Sequence, residues 1–404
     1  MSAATPTPTN AAEAGEALAA ALAAGQRVEI VGQGSKRGFG HAVDADVVLS
    51  TAKLTGLGLY EPEELVMSAA PGTPIAEIER TLADSNQHLE FEPPDLGPLY
   101  GLPAGQGTIG GAFAGNLAGP RRIRVGAARD HLLGVHLVTG RGEPIKSGGR
   151  VVKNVTGYDL PKVMCGSFGT LALITHVTFK AMPRPETGAS LALSGLPRAE
   201  LLKALRTAMA SPYDIASTAY VSAEALNHSG SGLAAPNAGV ALIRIEGTEP
   251  SVRYRLERAR DLLASGGAEL AVIEAGASDQ LWRELRDATL VNAAAADAPL
   301  WKLSVAPSAA DAVLDGLANI LHPAFCADWS GGLIWAAYRG AAEIRRVLAA
   351  HGGSATLMRA PEAVRARVPV FTPQSAPVQA LSQRLKASFD PDGRLNPGKL
   401  QLQG

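Results

Sequence analysis

Three glycine-rich segments and a short arginine cluster hold the residues whose types and spacing could do chemistry. Gly32-Gln33-Gly34-Ser35-Lys36-Arg37-Gly38 follows directly on a β-run. Glycine permits the positive φ of an anion nest, and successive backbone N–H groups there could converge on a phosphate. Lys36 and Arg37 would add charge. The same string also reads as an ordinary glycine turn carrying two solvated cations. Gly105-Gln106-Gly107-Thr108-Ile109-Gly110 matches G-x-G-x-x-G literally. It follows Gly101-Leu102-Pro103-Ala104 rather than a strand, so a Rossmann turn for nicotinamide is rejected. Small residues continue through 107–119, which would let backbone approach a flat, bulky ligand or pack a helix tightly on a sheet. The third segment, residues 153–162, mixes polar and small groups and ends in Gly166-Ser167-Phe168-Gly169-Thr170. Cys165 stands where a G-x-S-x-G elbow needs its first glycine, and no P-loop string occurs.

Arg121, Arg122 and Arg124 could clamp a carboxylate bidentately. Pairing with protein acids or with a partner subunit is the alternative. His131, beside Asp130 in a loop, could serve as a base. His136 alternates within the run 133–139 and reads better as a satisfied strand histidine, and His176 as a sheet-face residue. His228, His322 and His351 are widely separated, with no partner at ligand spacing, so no metal site is expected. The tryptophans Trp282, Trp301, Trp329 and Trp335 read as core or partner-interface packing.

The elements that must position these residues follow from periodicity. Residues 11–24 read as a helix, 27–31, 47–50 and 65–70 as short strands. Thr73 is expected to cap a helix that starts at Pro74 and presents Ile75, Ile78 and Leu82 on one face. Residues 90–101 read as a loop, 133–147 as a hairpin and 171–182 as a strand. Pro183-Arg184-Pro185 marks a boundary. Beyond it, β-α-β texture runs from 191 to 222 and again from 240 to 275. A helix at 278–290, strands at 300–305, 324–328 and 332–338, and helices at 308–320 and 341–351 complete an α+β region. The tail 388–403 returns to the glycine-, proline- and asparagine-rich style of the first region.

The chain has 404 residues, 46% of them hydrophobic and 19% charged, enough for two or three domains with a large core. A net charge of −1 argues against a nucleic-acid or membrane-surface binder. The two cysteines, Cys165 and Cys326, cannot build a disulfide scaffold or an iron–sulfur cluster. Any redox chemistry must therefore use an organic cofactor or a partner. The N-terminus lacks a signal peptide's features and no run is long enough to span a membrane, so the expected compartment is the cytoplasm, with membrane association through partners left open.

The three segments, in this order and spacing, together with the tail Asp390-Pro391-Asp392-Gly393-Arg394-Leu395-Asn396-Pro397-Gly398-Lys399, resemble the vanillyl-alcohol oxidase / p-cresol methylhydroxylase (PCMH-type) FAD-binding family. Within it they are similar to the FAD-binding E subunits of bacterial glycolate oxidases. The resemblance covers about residues 20–185 and the tail. It implies an α+β fold, in which a PCMH-type FAD-binding domain of two α+β subdomains is followed by a smaller α+β, ferredoxin-like cap. The implied boundaries are a disordered tail at 1–10, the FAD-binding domain at 11–185, a substrate or cap domain at 186–380, and a C-terminal segment at 381–404 packing back on the FAD domain.

The resemblance also implies roles. Gly32, Gln33, Gly34, Ser35 and Lys36 would wrap the FAD pyrophosphate, with Pro71 and Gly72 near the adenine side. Pro103, Gly107, Thr108, Ile109, Gly110 and Gly111 would supply contacts to pyrophosphate and ribityl, continued by Asn116, Gly119 and Gly126. Gly157, Tyr158 and Asp159 would approach the isoalloxazine, with Tyr158-Asp159 positioning the flavin. Gly166, Gly169 and Ile174 would close the adenine-proximal side, and Asn396 and Lys399 would reach the flavin's edge. Some relatives attach flavin through a histidine in the first loop; here none occurs before His41, so noncovalent FAD is expected.

The implied function is an FAD-dependent oxidoreductase subunit of a glycolate oxidase, taking glycolate to glyoxylate. Its expected partners are a second FAD subunit and an iron–sulfur subunit. Such chemistry needs a cation for the carboxylate and a base for the hydroxyl proton, for which Arg121, Arg122 and His131 are the candidates. A self-sufficient D-2-hydroxy-acid (D-lactate) dehydrogenase and a non-catalytic assembly or relay subunit are the rival readings.

Overall fold

The computed structural model describes residues 5–150, 157–234, 238–264 and 267–400. Residues 153–156 of the third segment lie outside them. The chain divides into two compact units. One comprises Met1–Ala118, Gly126–Arg184 and Pro373–Gly404, the other Gly119–Val125 and Pro185–Thr372. The division falls between Arg184 and Pro185. The chain returns to the first unit at Pro373 rather than 381, and the excursion Gly119–Val125 belongs to the second unit.

The first unit opens with the helix Ala11–Ala23, where Ala14, Leu18 and Ala21 fall on one stripe and are buried. They pack with Val28, Leu49, Leu54, Val138, Leu173 and Leu395. Asn10 caps this helix by accepting from the Glu13 N–H, and the Pro6 carbonyl accepts from the Ser50 N–H. Residues 5–10 are thus tied down, which corrects the expected disordered tail for that stretch. The strands Val28–Val31 and Val47–Ser50 pair in parallel, Val28 opposite Val47. The tail joins them, with Leu395 bridging to Val28 and the Asn396 N–H donating to the Val28 carbonyl.

A five-stranded antiparallel sheet forms the rest of the frame. Its order is Leu57–Glu61, Val66–Ala69, Ala172–Lys180, Leu132–Thr139 and Pro144–Gly148. The helix Ile75–Ala83 buries Ile75, Ile78 and Leu82 as their spacing predicts. Thr73 does not cap it: its hydroxyl bonds both the N–H and the carbonyl of Gly56 instead. The loop expected over 90–101 contains a short helical turn, Pro98–Tyr100.

The second unit carries an eight-stranded sheet. Its first half runs strand Thr187–Ser194, helix Arg198–Met209, strand Ser217–Val221, strand Val240–Gly247, helix Glu249–Leu263 and strand Glu269–Ile273. The second half repeats the plan with Leu300–Ser304, Ala310–Leu317, Leu321–Asp328, Leu333–Tyr338, Ala341–Ala350 and Ser354–Arg359. Each half is a βαββαβ unit with its first and third strands central, the ferredoxin-like order. The halves join where Ser217–Val221 pairs antiparallel with Leu321–Asp328. The expected ferredoxin-like cap contains this unit twice. Apolar residues of all four helices share one core with one face of the sheet, including Leu191, Ile243, Ile245, Trp301 and Leu303.

Because strand side chains alternate, the residues between these face the other way. Ser190, Arg244, Glu246 and Lys302 are among them. On that opposite face Ser190 accepts from the Trp282 indole N–H at 2.8 Å, which seats the helix Ala275–Arg286.

Candidate cofactor site

In the first unit, the turn after Val28–Val31 and the helix Ile109–Ala114 face each other across a cleft of about 850 Å³, part of it open to solvent. Glycine is required where the walls touch. A Cβ on Gly32 would sit 2.8 Å from the Thr108 hydroxyl, and one on Gly110 would sit 2.5 Å from the Pro71 Cβ. Gly34 differs: a Cβ there meets nothing within 4 Å, but its φ is +84°. It turns the chain and faces open space.

The turn leaves backbone donors unused. Among the described residues, the backbone N–H groups of Gln33, Gly34, Ser35 and Lys36 donate to no protein acceptor, although Ser35 is only 3% exposed. Successive unpaired N–H groups in such a turn form an anion-binding concavity. The Lys36 ammonium lies 3.3 Å from the Ser35 hydroxyl and close to Gly107 and Gly111. Burial pushes its pKa down to about 8, with Asp95 acting in the opposite direction. A buried cation facing unpaired donors has the chemistry of a phosphate site. Arg37 also lines the cleft, where its guanidinium pairs with the buried carboxylate of Glu29.

The C-terminal tail closes one wall. Asn396, at φ +41°, accepts from the Ile30 N–H and donates to the Phe168 carbonyl, both at 2.6 Å. Lys399 donates to the Arg37 carbonyl at 2.9 Å, and its own carbonyl accepts from the His41 N–H. Asp390, fully buried, accepts from the Lys386 ammonium and from the N–H groups of Arg394 and Leu395, which holds this segment in place.

The cleft brings together Gly32, Gln33, Gly34, Ser35, Lys36, Pro71, Thr108, Gly110, Gly111, Gly169, Ile174, Asn396 and Lys399. Other expected contacts serve elsewhere. Gly72 packs where a Cβ would lie 2.0 Å from the Thr51 carbonyl, and Gly107 lies against Ile75. Ile109 is fully buried core, and Pro103 backs Gly97. Asn116 accepts from the Arg129 N–H, and Gly166 packs on Asn116. Gly126 turns the chain against the Asp130 carboxylate, and Gly119 belongs to the second unit. Gly157 has open space around it and Tyr158 is 91% exposed. Asp159 caps the helix Leu160–Met164. Thr51, Phe39 and Phe168 line the cleft without having been expected. The signal for Phe168 was its place between Gly166 and Gly169, where it takes a φ of +54°.

The expected acid–base groups are not in this cleft. His131 is 3% exposed and packs on Phe91, ring centroids 5.3 Å apart. His136 and His176 are cross-strand neighbours with ring centroids 5.0 Å apart. Burial lowers both pKa values, His136 further through Lys146 and His176 further through His136 and Lys146. In the second unit, Arg121 is buried and donates twice to Glu246, while Arg124 pairs with Asp214 at 2.9 Å. Arg122 lies over the Trp329 ring. Burial pushes the Cys165 thiol up to about 12 and Cys326 higher, so neither is a nucleophile at neutral pH. Among the described residues no group of three or more His, Cys, Asp or Glu could hold a metal, and no helix is long and apolar enough to cross a membrane.

Comparison with known proteins agrees with this geometry. Residues 2–148 match the model of an FAD binding domain, and residues 374–400 that of the FAD linked oxidases, C-terminal domain. The chain is 33% identical over 377 residues to the glycolate oxidase subunit GlcE of Escherichia coli (strain K12), covering 93% of this chain and 92% of that one. It is 31% identical over 168 residues to the glycolate oxidase subunit GlcD of Bacillus subtilis (strain 168), covering 41% of this chain and 34% of that one. The crystal structure of p-cresol methylhydroxylase with substrate bound shares the fold, with a TM-score of 0.72 at 14% identity over 98% of this chain and 88% of the other.

Proposed function

The chain belongs to the family of FAD-linked oxidoreductases that includes the glycolate oxidase subunit GlcE, and from that premise we propose that it is the FAD-binding subunit of a glycolate-oxidising complex. The end-to-end likeness to GlcE carries the reading. When bound, noncovalent FAD supplies a two-electron acceptor for a 2-hydroxy acid. The chain's own part is to hold it. The N–H groups of Gln33, Gly34, Ser35 and Lys36 receive the pyrophosphate, and the Lys36 ammonium adds the countercharge. Gly110 and Gly111 let backbone approach closely, and Asn396 fixes the tail that walls the cleft. Glycolate loses two electrons and two protons on becoming glyoxylate. Its electrons pass to partners, a second FAD subunit and an iron–sulfur subunit, in the cytoplasm.

A second reading is favoured by the burial of His131 and the pairing of Arg121 with Glu246. In it, this chain holds FAD as an electron relay, and a partner subunit oxidises the substrate. Anaerobic glycolate added to the purified chain and then to the assembled complex separates the two. Flavin bleaching in the chain alone supports the first, and bleaching of this chain's flavin only in the complex supports the second. Absence of bound flavin after gentle purification overturns both.

A further inference from the structure

We propose that His136 and His176, paired across two strands of the first unit, form a binding site for a late first-row divalent metal ion, copper(II) above the others. Each histidine supplies one imidazole nitrogen, and water completes the coordination. Imidazole suits copper, nickel and zinc, and copper(II) leads that order. Neither histidine lines the FAD cleft, and the site does not depend on the glycolate reading.

The sheet sets the geometry. His136 of Leu132–Thr139 stands directly opposite His176 of Ala172–Lys180, so both side chains leave the same face of the antiparallel pair. The next pairing is Leu137 with Ile174, which makes Thr175 the extra residue of a β-bulge beside the two histidines. The flanking Val135 and Val177 are buried, and this alternation turns the imidazoles away from the core. The ring centres lie 5.0 Å apart and the planes are tilted by 38°, so the rings are not stacked flat. With metal–nitrogen bonds of about 2.0 Å, each ring centre would sit about 3.2 Å from a shared ion. The observed separation of 5.0 Å then corresponds to an angle of about 100° at the metal. That lies between the cis angle of a square-planar ion and a tetrahedral angle. Histidine χ2 is broad and roughly two-fold, so ring rotation turns one nitrogen of each toward the shared point.

The nitrogens are open and unprotonated. Among the described residues, neither imidazole hydrogen-bonds to a protein group, and both nitrogens of the half-buried His176 reach solvent. His136 is exposed. Burial lowers both pKa values from the ordinary 6.5, so both rings are neutral at pH 7 and each offers a lone pair. The other charged group that bears on the pair is Lys146, opposite His136 on the strand Pro144–Gly148. Its ammonium disfavours a second cation, so it should weaken metal binding without occupying either nitrogen.

The test titrates copper(II) into the full chain with its FAD, followed by calorimetry and by electron paramagnetic resonance. The expected spectrum shows one copper coupled to two imidazole nitrogens. His136→Asn and His176→Asn should each remove one of these couplings and weaken binding at least about tenfold. Nickel and zinc should compete more weakly than copper, and magnesium not at all. Affinity should be flat at neutral pH and fall as the pH drops below 6.5, where protons take the same lone pairs. Flavin content and melting temperature are recorded for every variant. Lys146→Met keeps both histidines and should bind copper about threefold more tightly, which decides the matter if a histidine variant fails to fold. Copper binding that is unchanged in a folded His136→Asn or His176→Asn, a wild-type spectrum without two imidazole couplings, or an unchanged affinity in Lys146→Met overturns the proposal.

Discussion

Arg121 donates to Glu246 through two guanidinium nitrogens, at 2.8 and 2.6 Å, with both side chains buried. Arg244 reaches the same carboxylate at 2.8 Å. An arginine that reads as a substrate clamp is thus a structural tie that fixes the excursion Gly119–Val125 within the second unit.

The first prediction concerns that tie. Glu246→Gln removes the carboxylate that two buried guanidiniums share, so it should destabilise the chain by about 3–5 kcal/mol. The double change Arg121→Met with Glu246→Leu leaves Arg244 to the exposed Asp279 and should recover part of that loss. Denaturant unfolding of the purified variants provides the comparison.

Lys36 should make FAD affinity depend on pH. In the FAD-free chain, burial holds its pKa at about 8 and Asp95 opposes that shift. Two phosphates alongside it would raise the pKa again, so FAD binding takes up a proton. Affinity should then be flat well below pH 8 and fall as the pH rises through it, by up to about tenfold per unit. Lys36→Met should bind FAD more weakly at neutral pH and lose this dependence. Flavin-fluorescence titrations across that range measure both, and a pH-independent affinity for the wild type would count against the assignment.

Two glycine substitutions should fail for different reasons. Gly110→Ala places a methyl 2.5 Å from the Pro71 Cβ and 2.8 Å from its carbonyl, so the helix Ile109–Ala114 must shift and FAD content should drop sharply. Gly34→Ala meets no atom, but its φ of +84° should cost about 1–2 kcal/mol. Flavin-to-protein absorbance ratios should therefore fall further for Gly110→Ala than for Gly34→Ala.

Asn396→Ala removes the acceptor of the Ile30 N–H and the donor to the Phe168 carbonyl. It should cost about 1–3 kcal/mol and loosen the tail. Faster FAD dissociation together with easier proteolytic cleavage near the tail is the expected outcome. Unchanged dissociation would remove the tail from the cleft's wall.

Periodicity placed the elements well where one face is buried. The strands Val47–Ser50 and Val240–Gly247 lie where their β-runs read, and the helix Ala11–Ala23 follows its apolar spacing. The helix Ala376–Phe389 was not legible, because only Phe389 is buried and its apolar residues mark no core-facing stripe. The strand Ser354–Arg359 was also missed, since its role is to add an edge to the second half of the sheet.

The sequence by itself determined the local chemistry. Glycines at Gly32, Gly34, Gly110 and Gly111 declare a close backbone approach, because only they fit the contacts and turns found there. Lys36 beside them fits an anion but reads equally as a solvated cation on a turn. Only the tertiary structure decided which charged groups are spent inside the protein. Asn396 meets Ile30 across 366 positions and Arg121 meets Glu246 across 125. The pairing of a buried charge depends on what the fold brings within a few ångströms, and spacing along the chain carries no record of it. For that reason the sequence left Arg121 open between a substrate clamp and a pair with a protein acid, and only the fold shows its pairing with Glu246.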